Sequence, residues 1–65
     1  MNKYGLTNET IIHFGHTLYR IRALKDFADV KAGELGGFIE KESNLSQIDD
    51  AWVYGNAWVY GNARV

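Results

Sequence analysis

At 65 residues with no Cys, the chain has room for one small domain that buries only about 60% of its unfolded surface, without a disulfide staple or a thiolate metal site. A large enclosed active site is excluded, and with no apolar h-region at the start and no run near the roughly 20 apolar residues of a membrane span, the expectation is a cytoplasmic protein with no membrane contact. The net charge of -1 is unevenly spread: residues 1–25 balance to +3 (Lys3, Arg20, Arg22 and Lys25 against Glu9), and residues 26–50 to -5 (Asp26, Asp29, Glu34, Glu40, Glu42, Asp49 and Asp50 against Lys31 and Lys41).

Composition points away from helix, because 7 Gly and scattered Asn and Asp break the β-branched and aromatic residues into short runs. The first two runs, TIIHF and TLYRIRAL, read as a β-hairpin joined by Gly15-His16, with Gly at the first loop position as in a type II′ turn. Alternation along the second strand puts Thr17, Tyr19, Ile21 and Ala23 on a core face and leaves Arg20 and Arg22 in water. A short helical turn is expected at residues 24–28. Gly33, Gly36 and Gly37 then exclude helix and suggest turns at positive φ, GGFIE reads as a short strand, and SNLSQ as a turn around the apolar anchor Leu45.

Residues 51–65, AWVYGNAWVYGNARV, say one six-residue phrase twice and begin it again. Self-similarity at a fixed period is architecture before it is anything else. A period of two within the phrase gathers Ala51, Val53, Gly55, Ala57, Val59, Gly61, Ala63 and Val65 on a small side. The other side carries Trp52, Tyr54, Asn56, Trp58, Tyr60, Asn62 and Arg64. A hairpin meander would mix large and small on each face. A parallel β-helix keeps every Val and Ala inward and places Gly-Asn at the corners. About three hexads make a turn, so the tail supplies about one rung, and a rung needs a neighbour. The sequence therefore predicts a mainly β protein of one small domain: an N-terminal β-hairpin with Gly-rich turns over residues 1–49, packed on a short, roughly one-rung β-helix-like repeat over 50–65.

The pairs Val53/Ala57 and Val59/Ala63 match the hexapeptide-repeat, left-handed β-helix family, in which an aliphatic residue is followed four positions later by a small one. The stretch GHTLYRIRALKDFADVKAGELGGFIEKESNLSQ, followed by AWVYGNA, resembles the N-terminal module of hexapeptide-repeat proteins common in phages and other mobile elements. Such proteins continue through many more VYGNA copies. This chain carries about two, as a truncated relative would, and has QIDD where a Gly-containing turn usually precedes the Trp.

The family includes acyltransferases, which resemble trimers using a His base between long coils with CoA alongside. Only His13 and His16 are available here, both at the hairpin tip, and as a pair they fall short of a zinc ligand set. GELGG lacks the Lys-Ser/Thr ending of a phosphate loop, Glu40/Glu42 have no arguable cleft, and Arg20, Arg22 and Tyr19 are too weak for a nucleic-acid stacking platform in an acidic chain. The expectation is no enzyme, no metal and no cofactor.

What remains is a surface. The rings of Trp52, Tyr54, Trp58 and Tyr60 either pack under the N-terminal strands or form a binding face. A small mobile-element protein with an acidic middle resembles the anti-CRISPR inhibitors. That resemblance implies a protein acting in the host bacterial cell on a type I CRISPR effector complex, blocking target DNA binding without itself touching nucleic acid. Asp26, Asp29, Glu34, Glu40, Glu42, Asp49 and Asp50 would meet basic residues, and the four rings would supply contact area. The alternatives are a solvated acidic surface, a self-assembling structural module that is a monomer or weak homodimer, and an acyltransferase-like remnant.

Overall fold

The computed structural model of the protein describes residues 2–65. It is mainly β: strands β1 (Tyr4–His13), β2 (His16–Ala23), β3 (Leu35–Ile39) and β4 (Trp58–Val59), with one 3-10 turn at Glu42–Asn44. They form a single sheet in the order β1-β2-β3-β4, antiparallel except for the parallel β3–β4 pair.

The expected hairpin is present but longer, and its loop lies one residue earlier. His13 pairs with His16, so Phe14 and Gly15 form the loop, at φ 48° and 81°. Two positive φ values define a type I′ turn, whose twist suits a two-residue hairpin better than the unprimed turns do. β1 also carries a bulge: Leu6 pairs with Ile21 and Thr10 with Tyr19, so Thr7, Asn8 and Glu9 face Arg20 alone. The bulge is stitched from within, Thr7 Oγ1 donating to Arg20 O (2.9 Å) and Glu9 accepting from Arg20 Nε (2.8 Å). Arg20 is thus drawn out of the water expected for it.

Ile21 and Ala23 join the core with Tyr4, Val30, Ile39, Leu45, Trp52, Val53 and Val59. The opposite face of β2 is covered as well, because Leu18 and Phe38 are buried there and the Arg20 guanidinium stacks 4.4 Å from the Phe38 ring. Residues 24–28 are not helical. Ala28 at φ 46° turns the chain so that Phe27 and Val30 exchange backbone hydrogen bonds of 2.8 and 3.0 Å.

Of the three clustered glycines only Gly33, at φ 89°, sits in a left-handed turn. Gly36 and Gly37 serve close approach instead: a Cβ at Gly36 would lie 2.6 Å from Val53 O, and one at Gly37 would lie 2.5 Å from Val53 Cγ1 and 2.6 Å from Ala57 O. That bare strip lets the tail run directly over β3, with Gly37 N donating to Val53 O at 2.7 Å.

The tail is a coil and not a meander. Phe38 lies opposite Trp58 and Ile39 opposite Val59, a separation of 20 residues. Hydrogen bonds from Val65 N to Asn44 O (2.9 Å) and from Ser46 N to Val65 O (3.2 Å) place Leu45 opposite Val65 with the same separation. Both hexads close the same turn, Ala57 N to Tyr54 O (3.1 Å) and Ala63 N to Tyr60 O (3.2 Å), around Gly55 and Gly61 at φ 59° and 64°. Glycine at that first central position relieves the clash an L side chain would meet.

One expectation for this coil needs correction, and one open choice is decided. Val53 and Val59 are buried as expected, but Ala57, Ala63 and Val65 are exposed, since Tyr4, Leu45 and Trp52 already fill the interior and the alanines follow the corners. Trp52 does not belong to an outward ladder. It is 5% exposed, edge-on to Phe27 and Tyr4, because residues 51–54 form no strand and do not alternate strictly.

Candidate functional site

The seven acidic residues occupy several local settings. Asp29 accepts from the Tyr54 hydroxyl at 3.2 Å, and that bond, reinforced by the charges of Asp29 and Glu34, raises the Tyr54 pKa. Tyr54 is 57% exposed, so Asp29, Glu34 and its ring form a small acidic and aromatic spot. Asp26 is exposed and accepts from Ala32 N of its own loop at 2.8 Å.

Asp49 and Asp50 lie beside Lys3. The lysine is 1% exposed and donates through Nζ to Asp49 O (2.7 Å) and Ala51 O (2.5 Å), with Asp49 Oδ1 at 3.8 Å and the Phe27 ring at 4.9 Å. Burial lowers its pKa, against the pull of Asp49 and Asp50. Gln47 completes the grip by accepting from Lys3 N and Tyr4 N at 2.8 and 3.2 Å. The unusual QIDD stretch is therefore the seat of the N-terminal strand. Tyr4 crosses the same joint, its hydroxyl donating to Leu45 O at 2.6 Å, and burial together with Glu42 pushes its pKa up to about 12. Glu42 itself accepts from Gln47 Nε2 at 3.0 Å.

Glu40 uses both oxygens: Oε2 lies 2.7 Å from His16 Nδ1, and Oε1 accepts from Gly61 N at 2.9 Å. The His16 hydrogen bond, then the Gly61 N–H, hold its carboxyl below the usual range. Around this tie the hairpin tip leans on the second hexad. The His13 ring lies 4.3 Å from Trp58 and 5.3 Å from Tyr60, and His16 lies 5.0 Å from Tyr60. The histidines are thus packed members of a joint, with Trp58 (47%), Ile12 and Phe14 exposed around it. Tyr60 is half-buried.

The expected partner-facing residues are therefore dispersed. Tyr54 with Asp29 and Glu34 makes one group, Asp49 and Asp50 a second around Lys3, and Glu40 with Trp58 and Tyr60 a third at the tip, while Trp52 is core. Sequence reasoning missed Lys3, Arg20, Asn44 and Gln47, the polar residues that hold the pieces together. Arg20 Nη1 donates to Gly36 O (2.7 Å) and Nη2 to Asn56 Oδ1 (3.3 Å). Buried Asn44 accepts from Glu40 N and Lys41 N (3.1 and 2.9 Å) and donates to Gly61 O and Ala63 O (3.3 and 2.8 Å). Nothing in periodicity marks such residues. An Asn beside a lone apolar anchor was the one available hint.

Among the described residues no group of three or more His, Asp or Glu is placed to hold a metal ion, and no helix is long and apolar enough to cross a membrane. No protein-family model matches the chain. A segment of 37 residues, 57% of the chain, is 46% identical to a protein described as the uncharacterized acetyltransferase YdcK of Escherichia coli (strain K12). The chain spans about 11% of the length of that curated relative. The likeness agrees with a repeat-type protein and extends no further.

Proposed function

We propose that this chain is a non-enzymatic capping and templating module for a hexapeptide-repeat coil. The sheet β1-β2-β3 closes one end of the coil, and β3 with residues 40–45 lays down the path that the hexads follow. The observation that carries this reading is the 20-residue parallel register, held at Phe38/Trp58 and Ile39/Val59 and matched by the hydrogen bonds that flank Leu45. β4 is an edge strand, and an edge is a ready template for another strand. The test appends three further hexads after Val65. Strand signal and thermal midpoint both rise if residues 57–65 act as a template. Appended hexads whose amides exchange as in a free peptide defeat the reading. Sedimentation over a concentration range tests the self-assembling form, which a strict monomer would sink.

A second reading, occupation of a host protein's surface, is favoured by the exposed Tyr54 beside Asp29 and Glu34. Its narrow form is the anti-CRISPR inhibitor, with Asp49 and Asp50 added to the acidic contact. It requires salt-sensitive binding to a type I effector complex. Binding unchanged by charge reversal at Asp29 and Glu34, or at Asp49 and Asp50, removes the electrostatic part. Acetyl transfer, the activity in the matched relative's name, is tested by calorimetry with acetyl-CoA.

A further inference from the structure

A polar pocket of about 200 Å³ opens between the 3-10 turn and the second hexad corner, lined by Lys41, Ser43, Gly61, Asn62, Ala63 and Arg64. Both walls are fixed from beneath. Asn44 is buried, accepts from Lys41 N on one wall, and donates to Gly61 O and Ala63 O on the other, while the Val65 N to Asn44 O bond closes the far end. The residues lining this cleft carry two cationic side chains, a hydroxyl and a primary amide. Among the described residues neither Lys41 nor Arg64 has an ion-pair partner. The nearby carboxylate, Glu40, has one oxygen on His16 and the other on Gly61 N.

The volume lies below the roughly 300–1,000 Å³ of pockets that hold drug-sized molecules, so the occupant is compact. Arg offers a planar fork to a tetrahedral oxyanion, Lys a mobile point charge, and Ser and Asn neutral donors for the remaining oxygens. We infer that this cleft is a binding site for a phosphate group, free or as the terminal group of a small monoester. This rests on the pocket and not on the capping role, and either stands if the other falls.

The test is an NMR titration of the intact chain with inorganic phosphate, and in a second arm with methyl phosphate, at ionic strength held constant with sodium chloride. Saturable shifts confined to the amides of residues 41–44 and 61–65 are expected. Binding of methyl phosphate as well as the free ion assigns the monoester, and binding of the free ion alone assigns inorganic phosphate. Lys41→Gln and Arg64→Gln, both at exposed positions, should each weaken binding about tenfold while the amides of β1 and β2 keep their positions. Shifts that fail to saturate, that sodium chloride reproduces, or that both variants retain at the parent affinity would overturn the assignment. The chloride comparison uses the unaltered chain, so it decides even where a variant does not fold.

Discussion

The hairpin and the tail are held in different ways. β1 and β2 run side by side through a long backbone ladder joined by a two-residue loop, and their contacts are near in sequence. Residues 50–65 contribute only two strand residues and keep their course through backbone bonds to residues 37–40 and 44–46 and through distant side chains: Arg20 to Asn56, Glu40 to Gly61, Asn44 to Gly61 and Ala63. One region is ordered by a ladder between neighbouring stretches of chain, the other by backbone and side-chain groups of distant residues reaching across to it. The hexads of residues 51–65 can thus be held in coil form by a surface shaped to receive them.

The sharpest way to break this contrast is Gly37→Val, which drives a side chain into Val53 and the Ala57 carbonyl. Overpacking against backbone costs about 3 kcal/mol, a large share of the roughly 3–10 kcal/mol expected for a chain this size. The thermal midpoint should fall by roughly 12–24 °C, and the amides of Gly37, Phe38 and Glu40, which donate to the tail, should lose exchange protection first. Asn44→Ala comes next. It leaves two N–H groups and two carbonyls without their partner, at about 2 kcal/mol, and denaturant titration should report that loss. Equal loss of protection in hairpin and tail would mean that the two regions unfold as one.

The titrating groups at the joint give smaller, signed effects. Tyr4 is raised from 10.0 to about 12 in the folded chain, so its contribution is complete below pH 10 and is lost as pH rises toward 12. Tyr4→Phe should remove that alkaline loss, and at neutral pH cost about 1 kcal/mol for the hydroxyl's hydrogen bonds, read by thermal melts across pH. Glu40 has the opposite sign: its contribution is complete above its ordinary value of 4.5 and disappears as pH falls through the lowered folded value. On acidification, the Gly61 N–H signal should shift as Glu40 takes up its proton. Smallest is Phe14→Asn. Phe14 is 87% exposed at φ 48°, where an ordinary side chain costs about 1–2 kcal/mol and Asn less, so the variant should be more stable by about 1 kcal/mol in the same melts.

What could be read from the chain follows the same division. Apolar alternation and Gly corners exposed the β character, the hairpin, the short strand over GGFIE and the inward Val53 and Val59. All of these are local consequences of strand geometry. The helical turn at 24–28 and the inward Ala57 and Ala63 failed, and the placing of Trp52 stayed open, because long-range packing decided them: Trp52 fills the space between Phe27 and Tyr4, and the two alanines are left outside a core already full. Gly36 and Gly37 were marked as special for the wrong reason, since close approach and positive φ leave the same letter in a sequence. The candidate site was least legible. Counting acidic residues cannot reveal that Asp26 closes its own loop or that Glu40 spends both oxygens on His16 and Gly61.

Counted from its valine, each hexad closes its turn with its own atoms, tyrosine carbonyl to alanine amide, and borrows nothing from the other hexad to do so. A gene can therefore gain or lose such a phrase by slippage without spoiling a bend elsewhere. Each gain swings whatever follows by about a third of a revolution, so a change of three at a time restores the original facing. Length in such a design is a dial that inheritance can turn in steps, while Asn44 and Glu40 go on holding the point from which the count begins.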